Sequence, residues 1–229
     1  MKRLFEPARL GSLTIKNRLV RSATYEMGCI ENSAVTAALK AVYEDLARGG
    51  VGLIITGKMS VCPKGGLDGA ALYDRDFPAQ FAPIVDAVHR EGGKIAVQIG
   101  HDGVKATALK EEEAPAGPSL YEQPGSKPAK AMTRDEIGEL VKDYGRAALR
   151  CRESGADGVQ LHGAHGYLIS EFLSPYFNKR DDEYGGSIEH RARLLFEIYD
   201  EIRRSTGDFP LLIKINYSDL VEPGITPEE

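Results

Sequence analysis

The densest run of chemically capable side chains is Gln160-Leu161-His162-Gly163-Ala164-His165-Gly166-Tyr167. Two imidazoles can donate hydrogen bonds to a carbonyl oxygen as negative charge builds on it, and a phenol can deliver a proton. Two other readings stand beside this one. His-x-x-His can supply two ligands to a metal, although no carboxylate or cysteine nearby completes a set. One histidine of the pair can instead cap backbone groups in a Gly-rich turn. Gln98 and Lys214 carry related chemistry. A glutamine amide offers donor and acceptor together, which suits the edge of a heterocycle. A lysine inside an apolar strand is costly to bury unpaired, so Lys214 calls for an open mouth or for an anionic partner, either a bound cofactor or a carboxylate such as Asp219.

These residues fall at the C-terminal ends of short apolar runs. Val51–Thr56, Lys94–Ile99, Gly158–His162 and Leu211–Asn216 read as strands, with Leu19–Ala23 a weaker fifth. Continuous apolar character marks strands buried on both faces of a parallel sheet. Helical stripes lie between them: Leu39, Val42, Tyr43 and Leu46; Phe77, Phe81, Ile84, Val85 and Val88; Ile137, Leu140, Val141, Tyr144 and Ala148 behind a Thr133–Glu136 capping box; and Ile188, Ala192, Leu195, Ile198 and Ile202. Strand and helix in alternation imply βαβ crossovers. The dinucleotide fingerprint and the phosphate loop of the open-sheet folds are both missing, whereas Ser22/Thr24, Gln98/His101, His162/His165 and Lys214/Asn216 gather at several strand ends. That distribution is the mark of a (βα)8 barrel. Residues 102–132, with Glu111-Glu112-Glu113 and several prolines, read as a long loop over the active end. Ser174–Ser187 reads as scaffold, a loop tied by Arg–carboxylate pairs before the next helix.

Composition sets the outer limits. The 229 residues carry 29 Lys+Arg against 34 Asp+Glu, a net charge of −5 without a basic block, which argues against nucleic acid. No apolar run approaches the roughly 20 residues that span a bilayer, and charge and proline interrupt the N-terminus before a signal peptide could form. Cys29, Cys62 and Cys151 are too few and scattered for a disulfide framework, which points to a cytoplasmic protein with reduced thiols.

Taken together, the motifs resemble the Old Yellow Enzyme family of FMN-dependent NAD(P)H:flavin oxidoreductases, which includes dienoyl-CoA reductases. The resemblance runs from Leu4-Phe5-Glu6-Pro7 through Asn17-Arg18, Gly52–Thr56, Gln98–His101 and His162-Gly-Ala-His165-Gly-Tyr-Leu168 to Phe172–Pro175, Asn178–Ser187 and Lys214. It implies a TIM-type barrel that binds FMN and uses NADH or NADPH to reduce the activated C=C bond of an enone or dienoyl substrate. Ser22, Ala23, Thr24, Tyr25, Gly57 and Lys58 would lie beside the flavin, Gln98 on its pyrimidine edge and Lys214 near N1 and O2. His162 and His165 would bind the substrate carbonyl, and Tyr167 would protonate the α-carbon. Hydride chemistry would belong to the flavin.

Three departures from the family pattern stand out. Lys214 replaces the usual arginine, His190 precedes Arg191 where asparagine is common, and Tyr25 holds a position that elsewhere tunes the flavin. The larger departure is the count of about five βα units where the barrel has eight. Thr226-Pro-Glu-Glu229 itself reads as a helix start. The expectation is therefore a single barrel domain over 1–229 that is incomplete at its C-terminus. A homo-oligomer or a completing chain is a possible partner, and a non-catalytic subunit without stable flavin is the alternative.

Overall fold

The computed structural model describes residues 2–26, 30–31, 33–66, 70–107, 109 and 113–229. Cys29 and Glu111-Glu112 of the sequence reading lie outside them. Strands β1 (Val20–Arg21), β2 (Leu53–Ser60), β3 (Lys94–Gly100), β4 (Gly158–Gly163) and β5 (Leu211–Ile215) pair in parallel, and their spatial order is their chain order. An open doubly wound sheet reverses direction at a switch point. No reversal occurs here, so these strands are consecutive units of a (βα)8 barrel. Between them run α1 (Ala37–Arg48), α2 (Phe77–Arg90), α3 (Arg134–Glu153), α4 (Leu168–Leu173), α5 (Ile188–Arg191) and α6 (Arg193–Thr206).

Strand alternation sorts the side chains into two layers. Ile54, Ile95, Val97, Ile99, Val159 and Leu161 face the helices, where Tyr43, Phe77, Phe81, Tyr144 and Phe172 close the larger core. Leu53, Ile55 and Ala96 face the barrel interior and pack on Leu13 and Ile15. Those two come from an antiparallel hairpin (Ala8–Leu10 with Leu13–Ile15) that plugs the floor. The interior is therefore apolar at the bottom and polar at the top.

The capping box forms as expected, with Thr133 accepting from the Glu136 N–H and Glu136 accepting from the Thr133 N–H. Several expectations change. β2 runs on to Ser60, four residues past Thr56, because a bulge lets it continue. The pattern from Ile188 to Ile202 is two helices broken at Ala192, and the buried face of α6 is Leu194, Ile198, Ile202 and Thr206, so Leu195 lies beside the core instead of within it. The insert at 102–132 holds two short paired strands, Ala116–Gly117 and Lys130–Ala131. Thr226–Glu229 forms a turn, closed by the Glu229 N–H on the Thr226 carbonyl at 3.3 Å. The Glu229 carboxylate pairs with the buried Arg191, which also donates to the carbonyls of Leu173 and Gly186 at 2.7 and 2.9 Å. Ile213 and Ile215, on the helix-facing side of β5, are exposed.

The loop at 174–187 is scaffold. The Arg180 guanidinium holds both Asp182 oxygens at 2.9 and 2.6 Å and donates to the carbonyls of Pro118 and Met132 at 2.9 and 2.7 Å. Asn178 Nδ2 donates to the carbonyls of Phe172 and Tyr184, each at 2.7 Å. The middle and the C-terminal end of the insert are thereby tied to the segment after α4.

Candidate active site

The polar upper layer of the interior is set by register. Lys58 pairs with Gln98 and Gln98 with Gln160, so three polar side chains share one row across β2, β3 and β4. His162 pairs with Lys214 across β4 and β5. Lys58 reaches this row through the bulge. Ile55 pairs with Ala96 but Lys58 with Gln98, so β2 spends one extra residue and its phase flips. Without the bulge, Gly57 would face inward.

Above this layer opens a cavity of about 230 Å3 lined by Ala23, Thr24, Tyr25, Lys58, Gln98, His162, His165, Tyr167 and Lys214. Gln98 Nε2 donates to Gln160 Oε1 at 2.8 Å, which orients the Gln98 amide. Gly100 keeps the wall open, since a Cβ there would lie 3.1 Å from both His162 Cβ and Lys58 Cγ.

His162 is 5% exposed, and its pKa falls to about 3, first because burial disfavours the cation and then through His165, Lys214 and Lys58. Its Nδ1 accepts the Ala164 N–H at 3.4 Å. A neutral ring whose Nδ1 accepts must carry its proton on Nε2, so His162 is a hydrogen-bond donor at neutral pH. His165 stacks edge-on to it at 5.0 Å and Tyr167 at 4.9 Å. The His165 pKa is lowered too, by burial and then by Lys214 and Lys105.

His165 adopts a left-handed backbone, φ 64°, followed by Gly166 at φ 65°. A non-glycine residue there costs about 1–2 kcal/mol, and neighbours hold it from both sides. Asn216 Oδ1 accepts its N–H at 3.0 Å, and Lys105 Nζ donates to its carbonyl at 2.8 Å. The same ammonium lies 5.6 Å from the Tyr167 ring centre. Strand-end loops after β3 and β5 thus fix the turn that follows β4.

Charge in the cavity is one-sided. Lys58 is neutralised by Asp102 at 2.5 Å. Lys214 has no carboxylate within ion-pair reach among the described residues. The expected alternative pairing with Asp219 does not form, because Asp219 accepts from Asn216 Nδ2 at 3.1 Å and from the Ile225 N–H at 3.0 Å. A neutral donor, an oriented amide, an unneutralised cation and a wall left open by Gly100 fit a planar, electron-accepting heterocycle with an anionic edge.

Nine of the eleven residues that the family resemblance assigns to the site line the cavity; Ser22 and Gly57 do not. Ser22 offers its carbonyl to Thr24 Oγ1, and Gly57 turns away towards Glu26. His101 is also apart, buried with its Nδ1 accepting the Gly103 N–H at 3.0 Å. For the metal alternative, no group of three His, Cys, Asp or Glu that could hold an ion occurs among the described residues. Gln160, Gly100, Lys105 and Asp102 carry no role in the sequence reading. Gln160 alone was detectable, two residues before His162 and so on the same strand face.

Residues 3–229 match the profile of the NADH:flavin oxidoreductase / NADH oxidase family. The chain is 38% identical over 233 residues to the NADH oxidase of Thermoanaerobacter brockii, covering 99% of this chain and 36% of that protein. It is 36% identical over 227 residues to the NADPH dehydrogenase of Bacillus subtilis (strain 168), covering 98% and 66% respectively. The solved old yellow enzyme homologue from Zymomonas mobilis superposes with a TM-score of 0.84 at 32% identity, covering 93% of this chain and 62% of that one. The chain thus spans between about one third and just under two thirds of these relatives. No helix among the described residues is long and apolar enough to cross a membrane.

Proposed function

The chain belongs to the NADH:flavin oxidoreductase / NADH oxidase family, and from that premise we propose that it binds FMN and uses NADH or NADPH to reduce the activated C=C bond of α,β-unsaturated carbonyl compounds. When bound, FMN supplies the hydride. Ala23–Tyr25, Lys58, Gln98 and Lys214 hold it, with the Gln98 amide on its polar edge and Lys214 balancing its negative charge. His162 and His165 bind the substrate carbonyl oxygen and draw electrons towards it, which makes the β-carbon electrophilic. Both imidazoles are neutral, so they act as donors and not as acids. Proton delivery to the α-carbon falls to the phenol of Tyr167.

The observation that carries this reading is the neutral His162, whose Nε2–H has no acceptor among the described residues, on the cavity that Lys214 also lines. The test is the visible spectrum of the purified chain titrated with FMN, followed by a phenol titration of the flavin-loaded protein. Stoichiometric flavin and a His162→Ala variant that binds phenol about tenfold more weakly, the loss of about one hydrogen bond, are expected. A chain that refuses FMN, or a variant with unchanged phenol affinity, refutes the assignment.

A second reading is favoured by the β5 edge. Ile213, Ile215, Tyr217 and Leu220 are exposed at 42%, 52%, 79% and 91%, which suits a sheet that a further segment or chain completes before flavin is held. Flavin uptake that requires an added C-terminal segment supports this reading; uptake by the chain alone excludes it.

A further inference from the structure

We propose that Arg21 and Glu26 form a clip that positions both the loop Ser22–Tyr25, whose last three residues line the cavity, and the β2 bulge that turns Lys58 inward; only its effect on flavin rests on the function proposed above. The two residues bracket the loop, one on each side, and pair with each other at 2.6 Å. Their side chains are 15% and 4% exposed, so the pair is shielded from water.

The need for the clip follows from the bulge. An extra residue in a strand leaves backbone donors outside the ladder, and buried donors must find partners. Here side chains take them. Thr56 Oγ1 accepts the Gln98 N–H at 3.0 Å on the facing strand. The Gly57 N–H donates to Glu26 Oε2 at 3.1 Å, with the Tyr43 hydroxyl as a second acceptor at 3.3 Å. Arg21 closes the assembly, donating to the Ile55 carbonyl at 2.9 Å and lying 5.7 Å from the Tyr43 ring centre. Gly57 is required because a Cβ would collide with the Glu26 carboxylate and would lie 2.7 Å from the Thr24 carbonyl. Loop, bulge and α1 thus meet at one carboxylate. Because that carboxylate is matched by a guanidinium, the clip adds no net charge behind the cavity.

Removing Glu26 leaves the Gly57 N–H only its longer contact to the Tyr43 hydroxyl and leaves Arg21 uncompensated. Removing Arg21 leaves the opposite charge. Amide exchange on the full chain tests the positioning without flavin. Glu26→Ala is expected to speed exchange about tenfold or more in residues 20–26 and 53–60 while leaving 158–163 unchanged, and Glu26→Gln, which keeps an acceptor for Gly57, restores most of the protection. With FMN bound, Glu26→Gln is expected to raise the flavin midpoint potential and Arg21→Gln to lower it, and the double variant returns towards the parent. Exchange that is unchanged, or that rises equally along the chain, overturns the clip, as do potentials that move in the same direction. A parent chain that takes no FMN refutes the proposed function instead, and the exchange result still decides the clip.

Discussion

Adding one methyl group at Gly100 sets two effects of known size against each other. Gly100 lies in β3 with ordinary strand backbone, so alanine there should reduce unfolded-state entropy and stabilise by about 0.4–1 kcal/mol. The new Cβ, however, would lie 3.1 Å from His162 Cβ and 3.1 Å from Lys58 Cγ, against an optimal carbon separation of about 3.5–4.0 Å. Neither neighbour yields freely. His162 is 5% exposed, is tied to the Ala164 N–H and is stacked on two rings. Lys58 can retreat only by loosening its 2.5 Å pair with Asp102. Overpacking of this kind costs about 1–3 kcal/mol, so Gly100→Ala should destabilise by about 1–2 kcal/mol net. It should also shift His162 by a few tenths of an ångström and weaken phenol binding to the flavin-loaded protein by roughly tenfold, given that misplacement of about 1 Å can cost 100-fold. Urea unfolding and phenol titration read the two effects. A variant more stable than the parent, with unchanged phenol affinity, would show that Gly100 does not hold the cavity open.

Two further predictions follow from the polar framework. Arg180→Met removes a shielded pair with Asp182 and strands the carbonyls of Pro118 and Met132, so it should cost about 3–5 kcal/mol in urea unfolding; a loss below about 1 kcal/mol, the range of an exposed pair, contradicts the scaffold assignment. The Arg180 guanidinium holds the Asp182 carboxyl down at about 2 from 3.8, so that share of stability is present above 3.8 and lost as the pH falls through about 2. His101 and His162 act over a different window. Burial lowers both from 6.5 to about 3, so below 6.5 the unfolded chain takes up protons that the folded chain refuses. Stability should decline as pH falls from 6.5 towards 3 and be complete above 6.5. Urea midpoints that stay flat across that window contradict neutral, buried imidazoles.

Much of this architecture is written locally. Apolar runs bounded by glycine, the Thr133 capping box and the first three helical stripes depend on nearest neighbours, and each becomes the kind of element expected of it. Polar groups at strand ends pointed to the barrel, and strand period places Gln160 and His162 on one face. The joint motif His162–Leu168 with Asn178–Ser187 carried the family resemblance because it combines cavity groups with the loop that holds them. Element boundaries were less legible: the break at Ala192 shifts the buried face of α6 by one residue, and a single-stripe reading gives no sign of it.

Order along the chain fixes which residue types meet, because the chemistry at strand ends follows that order. Tertiary structure alone decided which way they face. The bulge at Thr56–Gly57 exists only against β3, and it turns Lys58 inward and Gly57 out. Glu26 reaches Gly57 across 31 positions, and Asn216 reaches His165 across 51. The neutrality of His162 comes first from burial and then from His165 in the next turn and from Lys214 and Lys58 on other strands, and the isolation of Lys214 from the absence of any nearby described carboxylate. Proton affinity and charge balance depend on the surroundings in space, and neighbours along the chain do not specify them.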